Sequence, residues 1–219
     1  DKISCTRIPH GVRLESQGVS AHGSTPEQGE NAIGRLLLAL GALLPAGETG
    51  DTLRFLATKI GMETDGKALG IALHDDVSGA LTLNLGTIQG DEAGLRLRIN
   101  YRYPVTKQLA DCAPILQNAF ESAGFTTVEQ VHKKSLYIPE TSALVQTLLG
   151  VYAAQTGLPA TPKSIGGGTY AKSIPNIVAF GPIFPGDEVR EHKPDEFIEI
   201  EQLMKNAQIT AQAMYQLAK

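Results

Sequence analysis

Two histidine-containing loops carry residue types that hydrolytic chemistry uses. His22 lies in the polar stretch 21–26, and His192 lies in the charged, proline-flanked stretch 191–196. An imidazole can ligate a metal or donate a hydrogen bond to a developing negative charge. A catalytic zinc ion normally takes three protein ligands and leaves one position for water, so a single histidine cannot hold it. The sequence therefore indicates parts of a site whose other members belong to a larger enzyme.

Each histidine also has a simpler interpretation. His192 follows an apolar stretch that we predict to be a strand, at the end of a sheet where α/β proteins place their ligands. It could equally be an exposed loop residue, and His22 could be a loop residue near a helix start. A third candidate, His74-Asp75-Asp76, has the H-x-D spacing of zinc hydrolases. Because it lies in a polar turn rather than after an apolar strand, we do not expect a metal site there.

Two further patterns could bind a carboxylate. Arg96, Arg98 and Arg102 alternate along one predicted strand and project from one face. A guanidinium group grips a carboxylate in bidentate fashion, although a solvated sheet face would look the same. The glycine run 166–168, followed by Thr169, would let backbone N–H groups approach a carboxylate or phosphate. It matches neither common phosphate-binding loop, so a structural tight turn is equally consistent.

Composition narrows the function classes. The 219 residues are 42% apolar and 19% charged, with a net charge of −4, which is typical of a folded globular protein. The basic residues form no concentrated patch, which argues against a nucleic-acid partner. The longest apolar run, 36–44, is too short for a membrane span. The two cysteines suit a reducing compartment, so we expect a cytoplasmic protein.

The first part of the chain has the pattern of an α+β domain. Leucines alternate with polar residues over 81–85, and apolar residues alternate with arginine or asparagine over 95–101, which predicts an antiparallel hairpin. The other predicted elements are a strand at 11–20, helices starting at Asn31 and spanning 52–60, a helix carrying Leu116 and Phe120, and a strand at 126–132. The pattern predicts an antiparallel sheet with helices on one face, close to a ferredoxin-like arrangement.

From about residue 139 the pattern changes to an α/β alternation. A helix around 144–152 precedes a short strand, the glycine run and an apolar strand at 177–180. The final helix carries an apolar stripe formed by Leu203, Ala207, Ala211 and Met214. Alternating strands and helices indicate a parallel sheet, so we place a domain boundary near 134–140. The chain then divides into residues 1–136 and 137–219.

Three segments together resemble a family of zinc peptidases. The residues that carry the resemblance are Gly18, Ala21, His22, Pro26, Gly29 and Asn31, the stretch 166–171, and the stretch 184–186 with His192 and Glu196. Their order and spacing are similar to those of aminoacylase, glutamate carboxypeptidase and succinyl-diaminopimelate desuccinylase. Within this family the chain most resembles the peptidase V, or Xaa-His dipeptidase, type.

The resemblance implies a role for each candidate residue. Residues 1–136 would form most of a substrate-binding lid, incomplete at its N-terminus, and residues 137–219 would form the C-terminal part of a catalytic domain with two zinc ions. His22 would stabilise the oxyanion, and Arg102 would hold the C-terminal carboxylate of a dipeptide. Gly167, Gly168 and Thr169 would line the same pocket, and His192 would ligate one zinc ion.

The sequence also departs from the family pattern. The N-terminal catalytic segment, with its H-x-D pair, further acidic ligands and adjacent Glu-Glu pair, is not found in these residues. We therefore expect the chain alone neither to bind two zinc ions nor to hydrolyse a peptide, and we expect the missing segment to be its partner. Two alternatives remain: a non-catalytic binding or dimerisation module, and a deacylase or desuccinylase of the same superfamily.

Overall fold

The computed structural model describes residues 2–188, 190 and 195–219. The chain divides into two compact units, residues 1–132 (unit 1) and residues 133–219 (unit 2). Among the described residues, none of the helices combines the length and the apolar character that crossing a membrane requires. The assignment of the two parts of the chain to a lid and a catalytic domain stays a prediction.

Unit 1 contains three α-helices and three two-stranded antiparallel sheets among its described residues. The strands are β1 (Ile3–Ile8), β2 (Gly11–Ser16), β3 (His74–Asp75), β4 (Gly79–Ala80), β5 (Thr82–Asp91) and β6 (Gly94–Arg102). The helices are α1 (Ala32–Leu43), α2 (Glu48–Lys59) and α3 (Ala113–Ser122). The α+β character predicted for this region is therefore present, while the ferredoxin-like arrangement remains a prediction.

The β5–β6 hairpin is the longest sheet of unit 1, and the sequence pattern predicted it correctly. Thr82 pairs with Arg102 at one end and Asp91 pairs with Gly94 at the turn, with a register shift between Leu85 and Thr87. Its apolar face joins residues from all three helices in one core. The fully or nearly fully buried members of this core are Leu37, Leu56, Ile60, Leu69, Ile71, Leu81, Leu83, Leu85, Cys112 and Phe120. Packing of helices against one face leaves the opposite, polar face of the hairpin free to carry functional side chains.

Helix α1 begins where the sequence predicted, at Asn31. The Asn31 side chain accepts hydrogen bonds from the backbone N–H groups of Ile33 and Gly34, which otherwise lack intrahelical partners. Gly34 then allows close helix packing, because a Cβ atom at this position would lie 2.0 Å from the backbone oxygen of Gly61. The start of α1 is therefore fixed both by its cap and by contact with the end of α2.

The predicted strand at 126–132 differs from the structure. These residues form no hydrogen-bonded strand, although their side chains contact β6 and the residue that follows it. Arg98 approaches Glu129 at 3.7 Å, and the Tyr103 hydroxyl lies 2.7 Å from His132 Nε2. An apolar-polar alternation predicts an extended segment, but the backbone pairing that defines a strand depends on a neighbour with matching N–H and C=O groups.

Unit 2 contains two α-helices, α4 (Ala143–Thr156) and α5 (Ile200–Leu217), among its described residues. Ser142 caps α4 and Gly157 ends it in the left-handed conformation, as the sequence predicted for a helix ending at this glycine. Apolar side chains of both helices form a small core with parts of the extended chain between them. The buried members of this core are Leu148, Val151, Ile209 and Ala213, and the partly buried members are Leu144, Val178, Phe180 and Phe184.

One prediction for unit 2, the apolar strand, differs from the structure. Residues 177–180 contribute side chains to the core but form no strand, and no described residue of unit 2 lies in a strand. A parallel strand forms only where neighbouring strands pair with it, and an apolar run in the sequence does not show whether such strands are present. On α5, the predicted apolar stripe is exposed: Leu203 and Met214 are 51% and 68% accessible, whereas Ile209 and Ala213 face the core. Helix α5 therefore has two apolar sides, and spacing alone could not show which one packs against α4.

Candidate functional site around His22 and Arg102

A closed loop of residues 18–30 presents His22. Val19 and Glu30 form an isolated antiparallel bridge, with backbone hydrogen bonds of 3.0 and 2.9 Å in the two directions. Glycines stand beside both ends of this bridge. A Cβ atom on Gly18 would lie 2.5 Å from the Glu30 oxygen, and one on Gly29 would lie 2.6 Å from the Val19 oxygen. The loop can close only because these two positions lack side chains.

His22 starts a tight turn at the tip of this loop. The Thr25 N–H donates to the His22 carbonyl oxygen at 2.9 Å. The imidazole is held by Ser24, whose hydroxyl oxygen lies 2.6 Å from Nδ1 and whose backbone N–H donates to Nδ1 at 3.3 Å. His22 is exposed, and no described residue contacts its Nε2 through a hydrogen bond. The ring is therefore fixed on one side and open to a ligand on the other.

Arg102 lies beside this turn. It is the last residue of β6, and its Nη2 lies 3.9 Å from the position that a Cβ atom on Gly23 would occupy. Its Nε is 3.5 Å from Asn100 Oδ1, and none of the carboxylates in the described part of the chain forms an ion pair with it. The structure thus brings a half-buried, unpaired guanidinium group next to the His22 turn, although the two residues are far apart in sequence.

Asn31 connects the loop to the hairpin. Its Nδ2 donates to Asn84 Oδ1 at 3.2 Å and to the Leu85 carbonyl oxygen at 2.9 Å, while its Oδ1 caps α1. Asn84 stands opposite Asn100 in the ladder, and Asn100 in turn contacts Arg102. One asparagine therefore fixes the distance between the end of the His22 loop and the strands that carry Arg102.

The neighbouring cavity is too small to hold a peptide. It has a volume of about 30 Å³ and is lined by parts of the loop, the end of α2 and β5, including Gly29, Asn31 and Asn84. That volume accommodates a water molecule or two. His22 and Arg102 do not line this cavity: His22 is exposed and Arg102 is half-buried, and together they form a surface patch on unit 1, which we call the His22–Arg102 patch.

The other two arginines of β6 do not join this patch. Arg98 stands opposite Thr87 and approaches Glu129, while Arg96 stands opposite Gln89 near the hairpin turn. The three arginines share one face, as predicted, but Arg102 lies six positions along the strand from Arg96, a distance of roughly 20 Å. A single carboxylate can therefore contact Arg102 but not all three.

The glycine-rich turn belongs to unit 2. Thr169 caps a short 3₁₀ helix, Tyr170–Ser173, by accepting a hydrogen bond from the Ala171 N–H at 3.3 Å. Lys172 folds back over the turn, with its Nζ 3.6 Å from the position of a Cβ atom on Gly168. None of the three glycines has a positive φ angle, so the backbone conformation does not demand glycine. Their binding role stays a prediction.

Asp75 has a structural role. Its carboxylate accepts five hydrogen bonds of 2.5 to 3.1 Å, from the backbone N–H groups of Val77, Ser78 and Thr106 and from the hydroxyls of Ser78 and Thr106. Burial alone would raise the pKa of Asp75, but these hydrogen bonds outweigh it and hold the pKa well below its usual range. Because N–H and O–H donors surround both oxygens, the H-x-D sequence is not a metal site here.

The metal prediction rests on a residue that the structure does not describe, since His192 lies outside the described residues. Within residues 2–188, 190 and 195–219, no three side chains of histidine, cysteine, aspartate or glutamate come together as metal ligands. The described residues by themselves therefore do not provide the ligand set of a zinc ion.

Sequence reasoning missed Ser24 and Asn31 as residues that organise the patch. The sequence indicates Asn31 as a helix start and as part of the family resemblance, but not as a contact to the hairpin, although an asparagine cap has a spare amide that must find an acceptor when partly buried. Ser24 lies two residues after His22. At this spacing, a turn can bring the backbone N–H and the hydroxyl of the serine close to the side chain of the histidine. Both signals were present in the sequence, but neither indicates a specific partner.

The comparisons with known proteins identify the family of this chain. Residues 9–123 match the M20 family model described as a peptidase dimerisation domain, which covers just over half of the chain. The chain therefore belongs to this peptidase dimerisation domain family, and the predicted resemblance to this family of peptidases is confirmed.

The alignments with two curated relatives cover more of this chain than the family model does. The chain is 40% identical over 209 residues to the Bacillus subtilis protein named "Putative dipeptidase YtjP", covering 94% of this chain and 44% of that protein. It is 36% identical over 211 residues to the Beta-Ala-Xaa dipeptidase of Lactobacillus delbrueckii subsp. lactis, covering 92% of this chain and 43% of that protein. The chain thus spans less than half the length of the curated relatives it matches.

Proposed function

We propose that this chain is part of a zinc-dependent dipeptidase and that unit 1 binds the substrate through the His22–Arg102 patch. The observation that carries the proposal is the unpaired Arg102 guanidinium beside the His22 turn. The name of the Lactobacillus relative, a dipeptidase for Beta-Ala-Xaa, supports dipeptides as the substrate class. The reaction is hydrolysis of the single peptide bond of a dipeptide with a free C-terminal carboxylate.

The two side chains have complementary tasks in this proposal. Arg102 has two terminal nitrogens to offer the substrate carboxylate, and a bidentate pair fixes direction as well as distance. His22 donates from Nε2 to the carbonyl oxygen as that oxygen gains negative charge during attack by water. Gly23 belongs to the patch, since a Cβ atom on it would lie 3.9 Å from Arg102 Nη2.

We also propose that zinc supplies the activated water and that His192 is one of its ligands. The remaining ligands would come from parts of the protein other than the described residues. Gly167, Gly168 and Thr169 are proposed to bind substrate through backbone N–H groups, with Lys172 adding positive charge beside Gly168. The roles of His192, Gly167, Gly168 and Thr169 follow from the family resemblance, and that of Lys172 follows from its position beside Gly168.

The test is hydrolysis by the gene product that carries this chain, assayed on a panel of α- and β-alanyl dipeptides. We expect zinc-dependent release of amino acids, lost on chelation and restored by zinc. His192→Ala should abolish it, whereas the matched control His10→Ala, in the turn between β1 and β2, should not. Preferential cleavage of N-acetyl or N-succinyl amino acids would instead identify a deacylase. Activity unchanged by His192→Ala would reject the ligand role.

Self-association of unit 1 is a second candidate function, favoured by the description of the matching family. A module that only dimerises needs neither His22 nor Arg102 for peptide binding. Sedimentation equilibrium of the chain measures association directly. Dimerisation together with unchanged peptide hydrolysis in His22→Ala and Arg102→Ala variants would favour this candidate over the substrate-binding role.

A further inference from the structure

The hydrogen bonds around His22 determine which of its nitrogens carries the proton. The backbone N–H of Ser24 donates to Nδ1 at 3.3 Å, and a backbone amide can only donate. Nδ1 must therefore accept, which excludes a proton on that nitrogen in the neutral ring. The Ser24 hydroxyl, 2.6 Å from the same atom, can donate to it as well.

We infer that Ser24 is a positioning residue that holds His22 in the tautomer with its proton on Nε2. This nitrogen is the one that no described residue contacts through a hydrogen bond, on the exposed side of the ring. Ser24 thus does two things at once: it orients the imidazole through two donors on one atom, and it directs the N–H group outward.

The tautomer decides what His22 can do. With the proton on Nε2, the outward nitrogen donates a hydrogen bond and cannot accept a proton from an attacking water. Resting on the proposed function, this inference assigns His22 to oxyanion stabilisation rather than to general-base catalysis. The inverse tautomer would present an acceptor and would favour the base role.

The tautomer can be measured without any enzymatic activity. In the ¹⁵N-labelled 219-residue chain at pH 8.5, two-bond ¹H–¹⁵N correlation spectra distinguish the protonated from the bare nitrogen of each neutral imidazole. We expect Nε2–H with a bare, hydrogen-bonded Nδ1 for His22. His10 has no side-chain hydrogen bond to a described residue and serves as the internal reference for an unconstrained ring. A proton on Nδ1, or a mixture equal to that of His10, would overturn the inference.

Two variants isolate the serine hydroxyl. Ser24→Ala removes the hydroxyl but keeps the backbone donor, so the His22 Nδ1 signal should move toward the His10 value. Ser24→Thr keeps the hydroxyl and should preserve the wild-type signal. In the active gene product we expect Ser24→Ala to lower kcat about tenfold with little change in KM, and Ser24→Thr to restore it. Identical spectra for Ser24→Ala and wild type would show that the hydroxyl does not position the ring.

These measurements separate the two proposals. If His22 carries its proton on Nε2 but His22→Ala leaves kcat unchanged, the tautomer assignment stands and the oxyanion role fails. If the proton lies on Nδ1, the positioning role of Ser24 fails even when dipeptides are hydrolysed.

Discussion

The two units hold their candidate site residues in different ways. In unit 1, bridges and side-chain hydrogen bonds connect His22, Asn31 and Arg102, which come from a loop, a helix start and a strand end. In unit 2, the glycine-rich turn is largely exposed and contacts mainly its own neighbours in sequence. The difference shows that contacts between distant parts of the chain hold the His22–Arg102 patch of unit 1, whereas mainly local contacts hold the described glycine-rich turn of unit 2.

The strongest test of this difference compares two glycines within helices. Gly34 of α1 has no room for a Cβ atom, which would lie 2.0 Å from the Gly61 oxygen, whereas Gly150 of α4 has open space. We expect Gly34→Ala to lower the free energy of unfolding of unit 1 by about 3 kcal/mol. Gly150→Ala should instead stabilise α4 by about 0.5–1 kcal/mol, because alanine favours helix.

Native-state hydrogen exchange, resolved by peptide, measures the two effects separately in the two units. The opposite signs are the critical result. Destabilisation of unit 2 by Gly150→Ala, or a neutral Gly34→Ala, would show that the packing described for these helices is wrong.

The second test concerns the buried carboxylate of unit 1. Asp75→Asn replaces an acceptor of five hydrogen bonds by an amide whose NH₂ group must face N–H donors. We expect it to lower the free energy of unfolding of unit 1 by about 3 kcal/mol. The exposed neighbour provides the control, since Asp76→Asn should change stability by less than about 0.5 kcal/mol.

The same residue predicts a pH dependence. The pKa of Asp75 is lowered in the folded state, so its ionised form stabilises unit 1 above the unfolded-state pKa of about 3.9. This contribution should be lost as the pH falls below about 5 toward the lower folded-state value. Urea unfolding of unit 1 between pH 7 and pH 3 measures it, and a wild-type curve parallel to that of Asp75→Asn would contradict it.

The third test compares the helix caps of the two units. Asn31 caps α1 with two acceptor bonds and also donates twice to β5, whereas Ser142 caps α4 with one bond of 3.3 Å. We expect Asn31→Ala to cost about 2 kcal/mol and Ser142→Ala about 1 kcal/mol or less. Asn31→Ala should also increase exchange at the amides of 18–30. Equal costs and an unchanged loop would mean that Asn31 acts only as a cap.

Local patterns in the sequence predicted most helices and the main hairpin. The alternation over 81–85 and 95–101 predicted which side chains of each strand face the core. After the register shift between Leu85 and Thr87, the even-numbered residue Ile88 packs against the core in place of an odd-numbered one. The β1 strand was not predicted. The apolar stripe predicted on α5 does not indicate whether that side of the helix packs against α4, and in the structure Leu203 and Met214 are exposed.

The candidate site was predictable by residue type but not by position. The resemblance identified His22 and Arg102, but their proximity depends on the Val19–Glu30 bridge and on the contacts of Asn31, which connect distant parts of the chain. The spacing of residues along the sequence does not predict such long-range contacts. The structural role of Asp75 could not be predicted from the sequence either, because two of its hydrogen-bond donors belong to Thr106, which comes after the β5–β6 hairpin in the chain.

The central claim is that Arg102 binds the C-terminal carboxylate of a dipeptide. Steady-state kinetics of the active gene product on a dipeptide and on its C-terminal amide test it most directly. Arg102→Ala should raise KM for the dipeptide at least about tenfold and leave the already poor amide unaffected, while Arg96→Ala, on the same face of β6, should change neither. An equal effect of Arg102→Ala on both substrates, or none on the dipeptide, would contradict the claim.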